Sequence, residues 1–71
     1  MSLRNQHWRD VIKVLGKLGF AVKRQSGSHV IMEHPDGRWT VVPRHNSIKV
    51  GTMRSILEDV GMTTADFLKL E

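Results

Sequence analysis

No cysteine occurs in the 71 residues, which excludes a disulfide framework and any thiolate metal site and fits a reducing compartment. Long apolar runs are missing too. No stretch approaches the roughly 20 residues that a membrane-spanning helix needs, and no charged leader followed by an apolar segment marks a secretory signal. These absences predict a soluble protein of the cytoplasm with no membrane engagement. Length sets a further limit: a chain this short has room for one core, whose burial stabilises a fold by only about 3–5 kcal/mol. Repeats, low-complexity tracts and linkers are also lacking, so residues 1–71 read as a single domain.

Positive charge is present in excess, net +4, and its distribution says more than its sum. Residues 13–54 hold Lys13, Lys17, Lys23, Arg24, Arg38, Arg44, Lys49 and Arg54 against only Glu33 and Asp36. Residues 55–71 reverse the balance, with Glu58, Asp59, Asp66 and Glu71 against Lys69. A polyanion drawn to the middle of the sequence would gain through phosphate neutralisation and counterion release. A merely solvated basic surface accounts for the same charges, so composition admits nucleic acid without requiring it.

Trp8, Val11, Ile12, Leu15 and Leu18 recur at helical spacing and predict a first amphipathic helix, ended near Gly16 or Gly19. Three β-prone stretches follow, near Phe20–Gln25, His29–His34 and Trp39–Pro43, separated by Gly27-Ser28 and by Pro35-Asp36-Gly37. Connections this short predict an antiparallel meander. Thr52 is a candidate N-cap for a second helix with the stripe Met53, Ile56, Leu57 and Val60, closed at Gly61. Thr63 with Asp66 resembles a capping box for a third short helix carrying Phe67 and Leu68. The expected fold is α+β, in the order α-β-β-β-α(-α), with helices on one face of a small three-stranded sheet and the other face wet.

Of the four histidines, His7 falls in the first turn of the first helix, where solvation is the simplest reading. His29 opens the second strand directly after Gly27-Ser28, where a tight backbone turn admits a close ligand. His34 ends that strand five residues on, so alternation points it to the opposite face. A metal site built on both is therefore disfavoured, no cysteine or helical histidine pair supplies further ligands, and the pattern calls for no cofactor. His45 follows Pro43-Arg44, where the chain can bend back beside the start of strand 2. Together with Arg24, Arg44 and Lys49, these imidazoles are the ingredients of metal-free phosphodiester cleavage. A neutral imidazole would take the proton of a ribose 2′-hydroxyl while cations stabilise charge on the phosphate oxygens. RNA supplies that internal nucleophile and DNA does not. Equally, His29 satisfying a loop carbonyl and His45 lying on the surface would explain the same residues.

Read together, Leu18-Gly19-Phe20, Arg24-Gln25-Ser26-Gly27-Ser28-His29, His34-Pro35-Asp36-Gly37, Val42-Pro43-Arg44-His45, Gly51-Thr52 and Ile56-Leu57 resemble the HicA family of mRNA interferase toxins. The resemblance runs from about Asp10 to Leu68. It rests above all on the order Gly-Ser-His, Pro-Arg-His, Gly-Thr, since single elements such as Pro-Asp-Gly are common. It implies a fold similar to the double-stranded-RNA-binding domain, ribosome-independent mRNA cleavage and neutralisation by a HicB-type antitoxin. It also implies that His29, at the histidine of the Gly-Ser-His motif, is catalytic. Arg24, Ser28, Arg44, His45 and Lys49 lie in or beside the motifs, and RNA-binding roles for them are an inference from charge and placement. The chain departs from the family pattern at Asn46, where glycine is common, and at Met32, where an aromatic is common.

Three functions stay open at this point: an endoribonuclease toxin, a non-catalytic RNA-binding module of similar shape, and a protein whose surface chiefly docks a partner. A pure binder would need the lysines and arginines but not an imidazole beside the tight turn.

Overall fold

A computed structural model describes residues 2–71. Helix α1 (Trp8–Lys17) buries Val11, Val14 and Leu15 along one stripe. Its ends are closed by local chemistry. The His7 ring accepts the Arg9 amide at its N-cap, and Asp10 in the first turn with Lys17 in the last suit the helix dipole. At the other end Gly19 N donates to Gly16 O and Phe20 N to Leu15 O, a Schellman closure. Gly19 has φ 99°, and a Cβ there would lie 3.1 Å from Nε2 of His34. The turn thus needs glycine for its backbone and for its neighbour, and it drops buried Phe20 under the sheet.

Strands β1 (Ala21–Ser26), β2 (His29–Glu33) and β3 (Trp39–Pro43) form an antiparallel meander in the order β1-β2-β3. The turn between β1 and β2 places Gly27, φ 60°, at the first central position, where a type II′ hairpin calls for glycine. Register pairs His29 with Ser26 and Pro43, Ile31 with Arg24 and Val41, and Glu33 with Ala21 and Trp39. A bulge at Lys23 shifts the β1 ladder. Val30, Met32, Thr40 and Val42 alternate with these and are buried beneath the helices. β1 is exposed along its whole length, and Lys23 and Arg24 charge that free edge against further strand pairing.

Helix α2 (Val50–Val60) buries Met53, Ile56, Leu57 and Val60. Its N-cap is Lys49, not Thr52, which lies inside the first turn. The start is fixed by tertiary contact: Ile48 N donates to Gln6 O and Met53 N to Lys49 O, so the backbone is already turning before threonine is reached. Buried Thr40 donates its hydroxyl to Asp59 at 2.9 Å and ties α2 to β3. Helix α3 (Thr64–Leu70) is capped by the Thr63 hydroxyl, which accepts from Asp66 N. A helix this short is marginal in water by itself. It is held by fully buried Phe67, whose transfer from water contributes about 2–3 kcal/mol, and by Lys17 Nζ donating to Leu70 O at 2.6 Å. The molecule is therefore α+β, ordered α-β-β-β-α-α, with its apolar core between the helices and one face of the sheet.

Candidate nucleic-acid interface

Three segments converge at the end of the sheet where β2 begins and β3 ends. The hairpin turn brings Gly27 and Ser28, and the chain leaving β3 is pinned beside it because Arg44 N donates to Ser28 O at 2.7 Å. His45 N then closes on Pro43 O, and the His45 carbonyl accepts Trp8 N at 3.2 Å, which docks the start of α1. Between these segments lies an open cleft of about 470 Å³ lined by His7, Trp8 and Arg9 from the start of α1, Gly27 and Ser28 from the turn, and Arg44 and Asn46 from the chain after β3.

The cations of this cleft are positioned by one indole. The Arg44 guanidinium sits 5.0 Å from the Trp8 ring centroid and that of Arg9 5.2 Å. Contacts of this kind contribute roughly 0.5–1 kcal/mol each at exposed sites, enough to bias a flexible arginine toward one position. His7 stacks on the same indole, centroids 6.0 Å apart. Its Nδ1 accepts from Arg9 N at 3.1 Å, so the proton of the neutral ring sits on Nε2. Among the described residues no carboxylate lines the cleft.

The sequence-selected residues distribute over two neighbouring surfaces. Ser28 and Arg44 line the cleft. His29 is exposed on the open face of the sheet, paired with Ser26 and Pro43, and its ring makes no hydrogen bond among the described residues. Arg24 lies farther along that face, in a depression of about 300 Å³ shared with Lys23, Ile31, Glu33 and Trp39. His45 is exposed and contributes its carbonyl, not its ring, to the junction. Lys49 is exposed at the N-cap of α2 and does not line the cleft.

His34 belongs to the other side of the sheet. It packs tilted against Phe20, centroids 5.1 Å apart, with Nδ1 3.1 Å from Asp36 N and 3.0 Å from its Oδ1. A neutral ring accepts from the amide and a protonated one donates to the carboxylate, so the turn is braced in both states. Among the described residues no three His, Cys, Asp or Glu side chains group closely enough to share a metal ion. Met32 is buried in the core, so the substitution at that position concerns packing and not the open face.

Sequence reasoning gave no site role to His7, Trp8, Arg9 or Asn46. Trp8 fitted the apolar stripe of a helix, and only the tertiary approach of Arg44 reveals its second use. The one available signal was an aromatic flanked by His7 and Arg9 at a helix start.

Fold and site together define a small α+β protein with a cation-lined cleft at the end of an antiparallel sheet. Residues 8–62, most of the chain, match the family described as the HicA toxin of bacterial toxin–antitoxin systems, and the chain belongs to that family. The match takes in α1 through the end of α2 and every residue of the cleft except His7. No curated protein matches the sequence. Membership makes the chain a toxin with an antitoxin as its partner. Among the described residues no helix is long and apolar enough to cross a membrane.

Proposed function

We propose that the toxin is an endoribonuclease that cuts mRNA by metal-independent acid/base chemistry at His29 and is neutralised by a HicB-type antitoxin. The observation that carries this reading is the position of His29. Its imidazole makes no hydrogen bond among the described residues and is exposed on an open face, one residue beyond the Ser28 that lines the cation-rich cleft. In the proposed reaction neutral His29 removes the proton of a ribose 2′-hydroxyl, whose oxygen attacks the adjacent phosphorus. The bond from phosphorus to the 5′-oxygen breaks, that oxygen takes up a proton from water as it leaves, and protonated His29 returns its proton to the resulting hydroxide. A 2′,3′-cyclic phosphate and a 5′-hydroxyl result. Arg44 and Arg9 stabilise the charge that develops on the phosphate oxygens. Arg24 on the sheet and Lys49 at the start of α2 attract the flanking backbone, with Ser28 and His45 as hydrogen-bonding groups beside the turn.

The test is His29→Ala. The side chain is exposed, so its removal leaves no cavity and should cost the fold well under ~2 kcal/mol. Cleavage, and growth arrest on expression, should fall by at least about 100-fold, the lower end of what a positioned general acid/base contributes. RNA and antitoxin binding should persist. A folded variant that still cuts RNA near the wild-type rate would overturn the assignment. Loss of wild-type cleavage in a chelator, restored by a divalent ion, would overturn its metal independence. A wild-type protein that binds RNA and never cuts it would make the chain a binding module.

A further inference from the structure

Trp39 is the largest side chain on the open face and is 57% exposed. The contacts that engage the other tryptophan have no counterpart here: among the described residues no aromatic ring or guanidinium covers its face. In a protein with so small a core, an indole left in water loses the burial that favours tryptophan elsewhere. Its surroundings are specific. Half-buried Ile31 lines the depression beside it, Arg24 and Lys23 supply positive charge from β1, and Glu33 lies directly opposite in the ladder. Lys23 Nζ holds Glu33 Oε2 at 3.3 Å and leaves the other carboxylate oxygen available as an acceptor.

We infer that this depression is a base-binding subsite for single-stranded RNA, in which an unpaired base stacks on Trp39 and offers an exocyclic amine to Glu33. The inference rests on the RNA-cleaving reading and deepens it by naming the strandedness and base preference of the substrate. His29 lies between the cleft and this depression. Glu33 is four positions farther along β2, about 13 Å at the usual strand rise, within the span of a short single-stranded segment. One flank of the reacting phosphate then enters the cleft between Ser28 and Arg44, and the other runs down the sheet past Arg24 to Trp39. Every base offers a π-face to an indole, so stacking supplies affinity. A carboxylate accepts from the exocyclic amines of cytosine, adenine or guanine, whereas uracil has no such amine and offers only its ring N3–H, so Glu33 favours an amine-bearing base. A paired base has neither its face nor its edge free, and the site excludes duplex RNA.

Binding is measured on the uncleavable His29→Ala protein with a short oligoribonucleotide in which each base in turn is replaced by an abasic residue. One abasic position should weaken binding by about ten-fold or more. In a Trp39→Ala background that position should lose its effect while the others keep theirs, and Trp39→Phe should restore most of the loss. Glu33→Gln should narrow the preference for an amine-bearing base over uracil at the same position. Equal affinity of Trp39→Ala and Trp39 proteins, abasic effects that add to the substitution, or tighter binding of a duplex of the same sequence would each overturn the inference. So would a Trp39→Ala protein that keeps RNA affinity and loses antitoxin affinity, since the face would then be the antitoxin's. None of these outcomes bears on whether His29 cuts, which is read separately as cleavage by the protein with His29 intact. Trp39 is exposed, so melting temperatures of the variants should match that of the parent.

Discussion

Arg38 is exposed in part, yet it joins three elements. Its Nε and backbone N–H both donate to Asp36, at 2.8 and 3.0 Å, its Nη1 donates to the Val60 carbonyl at the end of α2, and its guanidinium lies 5.3 Å from the Phe20 ring centroid. Asp36 registers the result. The Arg38 backbone N–H, with the Arg38 side chain adding to it, holds the carboxyl below the usual carboxylate range. A carboxyl lowered in the folded state stabilises the fold above its unfolded pKa, near 3.9, and that contribution is lost as pH falls through the folded value. The melting temperature of Asp36→Asn should therefore lie below wild type at neutral pH, and the gap should close on acidification below about pH 4. A gap unchanged down to pH 2 would show that the carboxylate charge is not what braces the turn. Pro35-Asp36-Gly37 was legible as a turn because its residues carry their own turn chemistry. Arg38's reach to α2 was not, since nothing local to it specifies where a helix will end. The same division holds for the histidines. Alternation alone put His29 and His34 on opposite faces, whereas His7 as an N-cap escaped notice because imidazole is not among the preferred capping side chains.

At the scale of elements the strands were legible to within a residue at each end, because turn residues bound them. The start of α2 was not. Threonine is a strong N-cap by preference, but the bridge between Gln6 and Ile48 turns the chain into the helix earlier, at Lys49. Tertiary pairing outweighed a preference worth about 1 kcal/mol. The end of α1 shows the converse, where local and tertiary demands coincide at Gly19. Gly19→Ala should destabilise the protein by about 1–2 kcal/mol from the left-handed backbone alone, and by more because the new Cβ meets the His34 ring. Urea unfolding should report a lower midpoint with little change in slope. Repeating the substitution in a His34→Ala background should recover the steric share and leave the backbone share. Full recovery would show that φ 99° at this position carries no cost.

Across the whole molecule the basic residues do not all serve one surface. Arg9 and Arg44 meet at the cleft, from positions 35 residues apart in number, while Lys23 and Arg24 charge the open face and Lys69 sits in the last turn of α3, lining neither. Summing charge along the chain located the basic middle but left out Arg9, which joins it only through the packing of α1 against the loop after β3. The family motif was thus legible in the sequence, whereas the part Arg9 and Trp8 take in the cleft was not. If this surface holds RNA as proposed, the attraction is electrostatic and the logarithm of affinity should fall linearly with the logarithm of salt concentration. Each phosphate contact on a single strand contributes a slope of roughly 0.7. Arg9→Ala and Arg44→Ala should each flatten the dependence by about that amount and weaken binding across sequences, as expected of phosphate contacts. Lys69→Ala removes the same charge from α3 and should leave the slope where it was. Equal flattening by all three substitutions would mean that net charge, and not the cleft, draws the RNA. A slope unaffected by any of them would remove the electrostatic basis of the interface altogether.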